Sequence, residues 1–160
     1  WSTLAQATET GAVYTPEEIA AITEFAHGQG MRVHLDGARL ANAAAHLGVP
    51  LRALTSDVTG GTWSASAAPR TVAAQRHPRQ RHGDTPRRRL KDLPDVRISY
   101  PVQANAVFVE LPAAAVRRLH EQFHFYDWDI GRGQVRWMTS FDTTAEDVIR
   151  LIEATRTSVA

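Results

Sequence analysis

The run Val33-His34-Leu35-Asp36-Gly37-Ala38-Arg39 decides the fold of this chain. Val33 and Leu35 alternate with His34 and Asp36, the period of two that marks a strand with one face in a core and the other bearing polar groups. The strand ends on a carboxylate, turns at Gly37, and reaches Arg39 at the entry to the next segment. A carboxylate and a guanidinium are thereby carried to the end of one apolar strand, an arrangement suited to a charged ligand.

On both sides of this run the residues spell helices. Thr15 can cap a helix whose first turn holds Pro16, Glu17 and Glu18, with Glu18 placed to close a capping box. Ile19, Ile22, Phe25 and Ala26 recur at helical spacing, and Gly28 and Gly30 supply a stop before a strand that starts at Met31 or Arg32. After the strand, Leu40, Ala43, Ala44 and Leu47 form the apolar stripe of a second helix ending at Gly48. Strand and helix in alternation imply a parallel sheet, and such sheets bind ligands outside the carboxyl ends of their strands.

The character changes between Trp63 and Leu90. This stretch holds three prolines, seven of the chain's arginines and two histidines, with Val72 and Leu90 as its only larger aliphatic side chains. It buries too little to order itself and is expected to be a disordered basic linker. From Lys91 onward a globular pattern returns: strands near Val96 to Ser99 and Ala106 to Glu110, a helix from Pro112 to Phe123, strands near Phe125 to Trp128 and Val135 to Thr139, and a last helix from Thr144. That order predicts a compact α+β unit.

Composition narrows the function classes. The 160 residues contain no cysteine, which excludes disulfides, thiolate metal sites and a cysteine nucleophile. No apolar run is long enough to span a bilayer and no signal-peptide pattern is present, so a cytoplasmic location is the default expectation. Trp1 as the first residue, Met31 as the first methionine and the modest length together suggest a fragment. A net charge of +1 favours no class of partner. The arginines between Arg70 and Arg89 could neutralise nucleic-acid phosphates, but no aromatic residues are interleaved to stack on bases, which argues against that use.

With these residues in view, the chain resembles the low-specificity threonine aldolases, pyridoxal-phosphate-dependent lyases of fold type I in the beta-eliminating lyase family. The run from Thr15 through Val33 to Asn42 resembles their large domain. Ala104-Asn105-Ala106-Val107-Phe108-Val109-Glu110 and Arg136-Trp137-Met138-Thr139-Ser140-Phe141-Asp142-Thr143-Thr144 resemble their small domain. The resemblance covers Glu9 to Thr62 and Leu90 to Thr157. It implies an α/β chain in which residues 1–62 are part of a large, cofactor-binding domain on a parallel sheet, 63–90 a linker, and 91–160 a small C-terminal α+β domain. The implied activity, within amino-acid metabolism, is cleavage of threonine or a related β-hydroxy amino acid to glycine and an aldehyde. Complete relatives are homo-oligomers that build active sites between subunits.

The resemblance also implies roles. Asp36 matches the aspartate that holds the ring nitrogen of pyridoxal 5'-phosphate, keeping it protonated so that the ring accepts electrons. The plainer use of Asp36 is to cap the helix after Gly37. Arg39 matches an arginine that positions ligands, its plainer use being a solvated helix residue. His34, on the same strand face as Asp36, reads from its own position as a supporting group behind the cofactor contact or as a satisfied core histidine. His34 and Asp36 could also be two ligands of a metal, but no third or fourth is signposted nearby. Arg136 matches the residue that grips the substrate α-carboxylate; an arginine within an apolar strand needs an anionic partner unless it sits on a solvated edge. Ser140, Asp142, Thr143 and Thr144 read as strand-end and helix-cap residues.

One part of the pattern is missing. The family's Schiff-base lysine follows a glycine-threonine turn, and here Asp57-Val58-Thr59-Gly60-Gly61-Thr62 leads to Trp63, whose side chain forms no imine. The single lysine, Lys91, lies past the basic segment and reads as a surface residue. The family's phosphate-cradling loop and ring-stacking histidine fall ahead of Trp1. The expectation is therefore an aldolase-type chain without autonomous turnover, in which 63–90 replaces a longer piece through deletion or a shifted reading frame. The alternative is a non-catalytic remnant or interaction module.

Overall fold

The computed structural model describes residues 1–59, 63–65, 89–90, 93–140 and 142–160. The chain divides into two compact units, Trp1–His77 and Pro78–Ala160.

The first unit alternates strand and helix: β1 (Ser2–Ala5), α1 (Pro16–Gly28), β2 (Val33–Asp36), α2 (Leu40–Leu47), a 3-10 turn (Leu51–Leu54) and β3 (Trp63–Ala65). β2 lies between β1 and β3, and both pairings are parallel. α1 begins where its capping box demands: the Thr15 hydroxyl accepts from the Glu18 amide at 3.2 Å while the Glu18 carboxylate accepts from the Thr15 amide at 2.8 Å. α2 ends at Gly48, whose φ of 70° is the left-handed cap that glycine adopts without a Cβ penalty. Val33 and Leu35 are buried, as the alternation requires, against Leu4, Ile19, Leu40, Ala43 and Leu54. Each such large side chain taken from water contributes roughly 1.5–3 kcal/mol, so this small cluster is what holds β2 in register.

Two strands lie where the sequence pattern gave no strand. β1 has Leu4 as its only large apolar residue, too little alternation to announce itself, and is made a strand by backbone pairing from Ser2↔Val33 to Ala5↔Asp36. β3 corrects the expected linker at its start, because residues 63–65 form the third strand through Val33↔Trp63 to Leu35↔Ala65. Pairing to an existing strand satisfies the backbone whatever the local composition. Leu90 corrects it at the other end, being fully buried in the core of the second unit. The rest of the expected linker lies outside the described residues.

The second unit follows the predicted order: β4 (Arg97–Ile98), β5 (Ala106–Glu110), α3 (Ala113–His120), β6 (Tyr126–Asp129), β7 (Gln134–Met138) and α4 (Ala145–Val159). Its antiparallel sheet has the order β4-β5-β7-β6. Val107, Val109, Val135 and Trp137 cluster with Ala115 and Leu119 of α3, and Leu151 and Ala154 of α4 pack against that cluster. The alternate residues Phe108 and Arg136 belong to the opposite face. Thr144 caps α4 in a second box: Asp147 Oδ2 accepts from the Thr144 amide at 3.0 Å and its hydroxyl at 2.8 Å, and the Asp147 amide donates back at 3.1 Å. These bonds, the backbone one first, hold the Asp147 carboxyl below the usual carboxylate range.

Candidate functional site

Asp36 is the last residue of the central strand, so its carboxylate stands at the carboxyl edge of the parallel sheet, half-buried. Oδ1 accepts a hydrogen bond from the Ala38 amide at 3.1 Å, which tightens the turn through Gly37. The plainer use of this residue is therefore real, but it concerns the turn and engages one oxygen. Among the described residues, the other takes no hydrogen bond. The Asp36 carbonyl receives the Gln6 amide at 3.0 Å, which brings the chain leaving β1 alongside the same edge.

That chain is pinned from two directions. Gln6 is fully buried and its side-chain amide grips Tyr14 twice, Nε2 donating to the Tyr14 carbonyl at 2.7 Å and Oε1 accepting its amide at 3.1 Å. Arg39 occupies the N-cap position of α2. Its Nη2 donates to the carbonyls of Ala7 at 3.1 Å and Thr8 at 3.4 Å, with the Glu9 carboxylate at 3.5 Å. With 21% of its side chain exposed, Arg39 is not the solvated helix arginine that composition alone favours. It fastens the loop between β1 and α1 beside the edge where Asp36 stands. His34, also half-buried, shares the Asp36 side of β2 and pairs in register with Thr3 and Ser64.

Arg136 belongs to the second unit. β7 is an interior strand, flanked by β5 and β6, so the alternative of a solvated edge position does not apply. Phe108 and Tyr126 are its register partners on the two sides. The guanidinium carbon lies 5.3 Å from the Tyr126 ring centre and 5.0 Å from that of Trp128, both within cation–π range. Phe108 meets Trp128 edge to face at 5.1 Å. Two aromatic faces beside the guanidinium offset part of the hydration that the charge loses on an interior strand.

The remaining expectations sort simply. Trp63 opens β3, directly beyond Thr62, and Lys91 lies outside the described residues. Ser140 donates to Asp142, and Thr144 is the helix cap that the sequence predicts. Gln6, Tyr126 and Trp128 were not legible as site residues. The two aromatics carry a usable signal, since Tyr126 and Trp128 share one face of a strand that a glycine turn folds onto Arg136. Gln6 carries none, because only the folded loop shows what its amide binds.

Residues 2–71 match the beta-eliminating lyase family. Among curated proteins the chain is similar to the low-specificity L-threonine aldolase of Pseudomonas aeruginosa, 32% identical over 93% of this chain and 57% of that protein. It is likewise similar to the enzyme of the same name from a Pseudomonas species, 30% identical over 88% of this chain and 54% of that protein. The chain thus spans little more than half the length of these relatives. Among solved structures, a threonine aldolase from Leishmania major superposes over 99% of this chain and 60% of its own, with a TM-score of 0.75 at 18% identity. A putative pyridoxal-phosphate-dependent beta-cystathionase from Corynebacterium diphtheriae follows at 0.66 and 14%. These superpositions establish the fold, an α/β chain of fold type I with a parallel and an antiparallel sheet.

Proposed function

We propose that this chain, similar to the low-specificity L-threonine aldolases in sequence and fold, derives from a pyridoxal-phosphate-dependent lyase cleaving threonine or a related β-hydroxy amino acid to glycine and an aldehyde, and that it does not turn over by itself. The observation that carries the reading is Asp36, a half-buried carboxylate at the carboxyl end of the central parallel strand with one oxygen uncommitted. When bound, pyridoxal phosphate supplies an electron sink for the breaking carbon–carbon bond.

Within the first unit one residue fits that group: Asp36 would hold a proton on the ring nitrogen by accepting a hydrogen bond from it. Arg39 and His34 would support Asp36, Arg39 through the loop it fastens. In the second unit, taken by itself, Arg136 would serve as the residue for the substrate carboxylate. Elsewhere in the first unit the fit fails, because Trp63 follows Thr62 where the family places its lysine, and Lys91 is the only lysine of the chain. No step of turnover is therefore assigned to this chain.

The same absence favours the second reading, a non-catalytic remnant or interaction module. In either case residues 1–65, β3 included, represent part of the large domain and 91–160 the small one, with a basic connection between them that stands for a longer piece. The alignment to the P. aeruginosa enzyme supports this, since at 197 positions it exceeds the 160 residues of the chain and must place gaps in it. A cytoplasmic location accords with the reading; among the described residues no helix is long and apolar enough to cross a membrane.

The test is to incubate the full chain with pyridoxal phosphate, reduce with borohydride and map adducts by mass, alongside an assay for glycine released from L-threonine. We expect reversible absorbance changes that Asp36→Ala abolishes, no adduct at a defined residue and no glycine. A specific adduct on Lys91 accompanied by glycine release overturns the loss of turnover; absorbance changes indifferent to Asp36→Ala overturn the role of Asp36.

A further inference from the structure

We infer that Gln6 is a positioning residue for Asp36: its buried side chain locks the last rung of the β1–β2 ladder, so that the carboxylate stands at a fixed place on the sheet edge before any ligand arrives. This rests on the proposed contact of Asp36 with the ring nitrogen.

Three observations carry it. The first is that, among the described residues, Asp36 is held from one side. Its neighbour on β1 is Ala5, whereas the pairing of β2 with β3 runs from Val33↔Trp63 to Leu35↔Ala65 and stops one residue short. Past the Ala5↔Asp36 pair, the Gln6 amide donates to the Asp36 carbonyl at 3.0 Å. Strand ends fray unless something ties them, and a swing of this last residue would carry the carboxylate with it.

The second is what ties that rung. Gln6 is fully buried, with Nε2 donating to the Tyr14 carbonyl at 2.7 Å and Oε1 accepting from the Tyr14 amide at 3.1 Å. The side-chain amide thus pairs with the backbone of Tyr14 as a neighbouring strand would. A group that both gives and receives on one residue is fixed in rotation as well as in distance.

The third is that Tyr14 is itself anchored. Its side chain packs against the cluster that holds Val33 and Leu35, and the next residue, Thr15, caps α1. The loop between Gln6 and Tyr14 is also bonded within itself, the Thr8 amide donating to the Ala12 carbonyl at 2.9 Å and the Ala12 amide to the Thr8 hydroxyl at 3.0 Å. The line from the capped helix through Tyr14 and Gln6 to Asp36 therefore runs through contacts that exist without a ligand. A carboxylate set in place this way loses no freedom when it accepts a hydrogen bond, and a well-aligned bond keeps the proton on its donor to higher pH than a loose one.

The test adds pyridoxamine 5'-phosphate, isotope-labelled at its ring nitrogen, to the full chain; this compound brings its own amine and needs no lysine. The ring-nitrogen chemical shift is followed against pH, and the dissociation constant by fluorescence. In the wild type the bound ring should stay protonated to higher pH than the free compound, and Asp36→Asn should erase that difference. Gln6→Leu, which keeps apolar volume but makes neither bond to Tyr14, should lose most of the difference and weaken binding about threefold to tenfold, the net worth of one hydrogen bond expressed as an equilibrium constant. A purely structural role would lower the unfolding midpoint and leave the ring titration of the bound fraction as in the wild type; that result in Gln6→Leu overturns the positioning role while the Asp36 reading survives. The wild type supplies an arm that needs no variant: the Gln6 amide should exchange as slowly as those inside β2, and exchange as fast as in an exposed loop overturns the inference as well. Absence of binding to the folded wild type, or a ring titration in Asp36→Asn equal to that of the wild type, removes the Asp36 reading and this inference with it.

Discussion

Arg39 Nη2 donates to the carbonyl of Ala7 at 3.1 Å, joining positions 32 apart in sequence. The bond ties the first residue of one helix entry to the loop that leaves the neighbouring strand, so the carboxyl edge of the parallel sheet is braced by a side chain that also stands next to the candidate cofactor carboxylate. An arginine expected to face a ligand is thus first a structural fastener, and its substitution should be visible in the fold before any chemistry is assayed.

Arg39→Ala should destabilise the first unit by about 1.5–3 kcal/mol, the range for losing hydrogen bonds made by a charged group, since the Ala7 and Thr8 carbonyls lose a donor. Denaturant unfolding measures this. Amide exchange should locate the loosening in residues 6–14; a uniform loss of protection across the chain would contradict the local brace.

Gln6→Ala should cost about 2–3 kcal/mol, because it strips partners from the buried side of the Tyr14 amide and carbonyl. Gln6 and Arg39 fasten the same loop, so the double variant should cost less than the two single losses added, by about 0.5 kcal/mol or more. Strict additivity in the double-mutant cycle would mean that the two ends of the loop move independently.

Gly133→Ala should be severe. Gly133 has a φ of 63°, and a Cβ there would lie 2.3 Å from the Leu111 carbonyl oxygen, backbone that cannot step aside without breaking the Leu111–Gly133 hydrogen bond. The left-handed conformation alone costs a non-glycine residue about 1–2 kcal/mol, and the clash adds to it. Gly48→Ala is the control: φ is 70° but the space is open, so only the conformational cost of about 1 kcal/mol is expected. Equal thermal shifts for the two variants would show that the approach of Leu111 does not matter.

Acid should release the start of α4. The Asp147 carboxyl is held below its ordinary range by the Thr144 amide, then the Thr144 hydroxyl, with Arg150 adding to both. A carboxylate whose folded pKa is depressed contributes stability that is complete above the unfolded value of 3.8 and is lost as the pH falls through the folded value. First-turn amides of α4 should therefore exchange faster as the pH drops below the ordinary carboxylate range. Asp147→Asn should show fast exchange at neutral pH and lose that acid dependence.

Much of this was legible without coordinates. The capping box at Thr15, the helix cap at Thr144, the alternation through Val33 and Leu35, and the helix end at Gly48 depend on contacts within a few residues, and the structure realises them; the helix expected to run to Phe123 stops at His120. β1 and β3 were hidden because neither carries its own signal; each is a strand because β2 offers a backbone to pair with. Leu90 was hidden for a similar reason, a lone apolar residue in a basic stretch whose burial is decided by the second unit.

The sequence by itself determined where the chemistry stands: a carboxylate at a strand end, an arginine at the next helix entry, another in a late strand, and no lysine after the glycine-threonine turn. Those are properties of residue type and short-range spacing, which local geometry converts into position. Only the tertiary structure decided what the two arginines hold. Arg39 turns to carbonyls 31 and 32 positions away, and Arg136 lies on an interior strand among the rings of Tyr126 and Trp128. Long side chains choose partners by distance in space, and that distance exists only once the strands have paired.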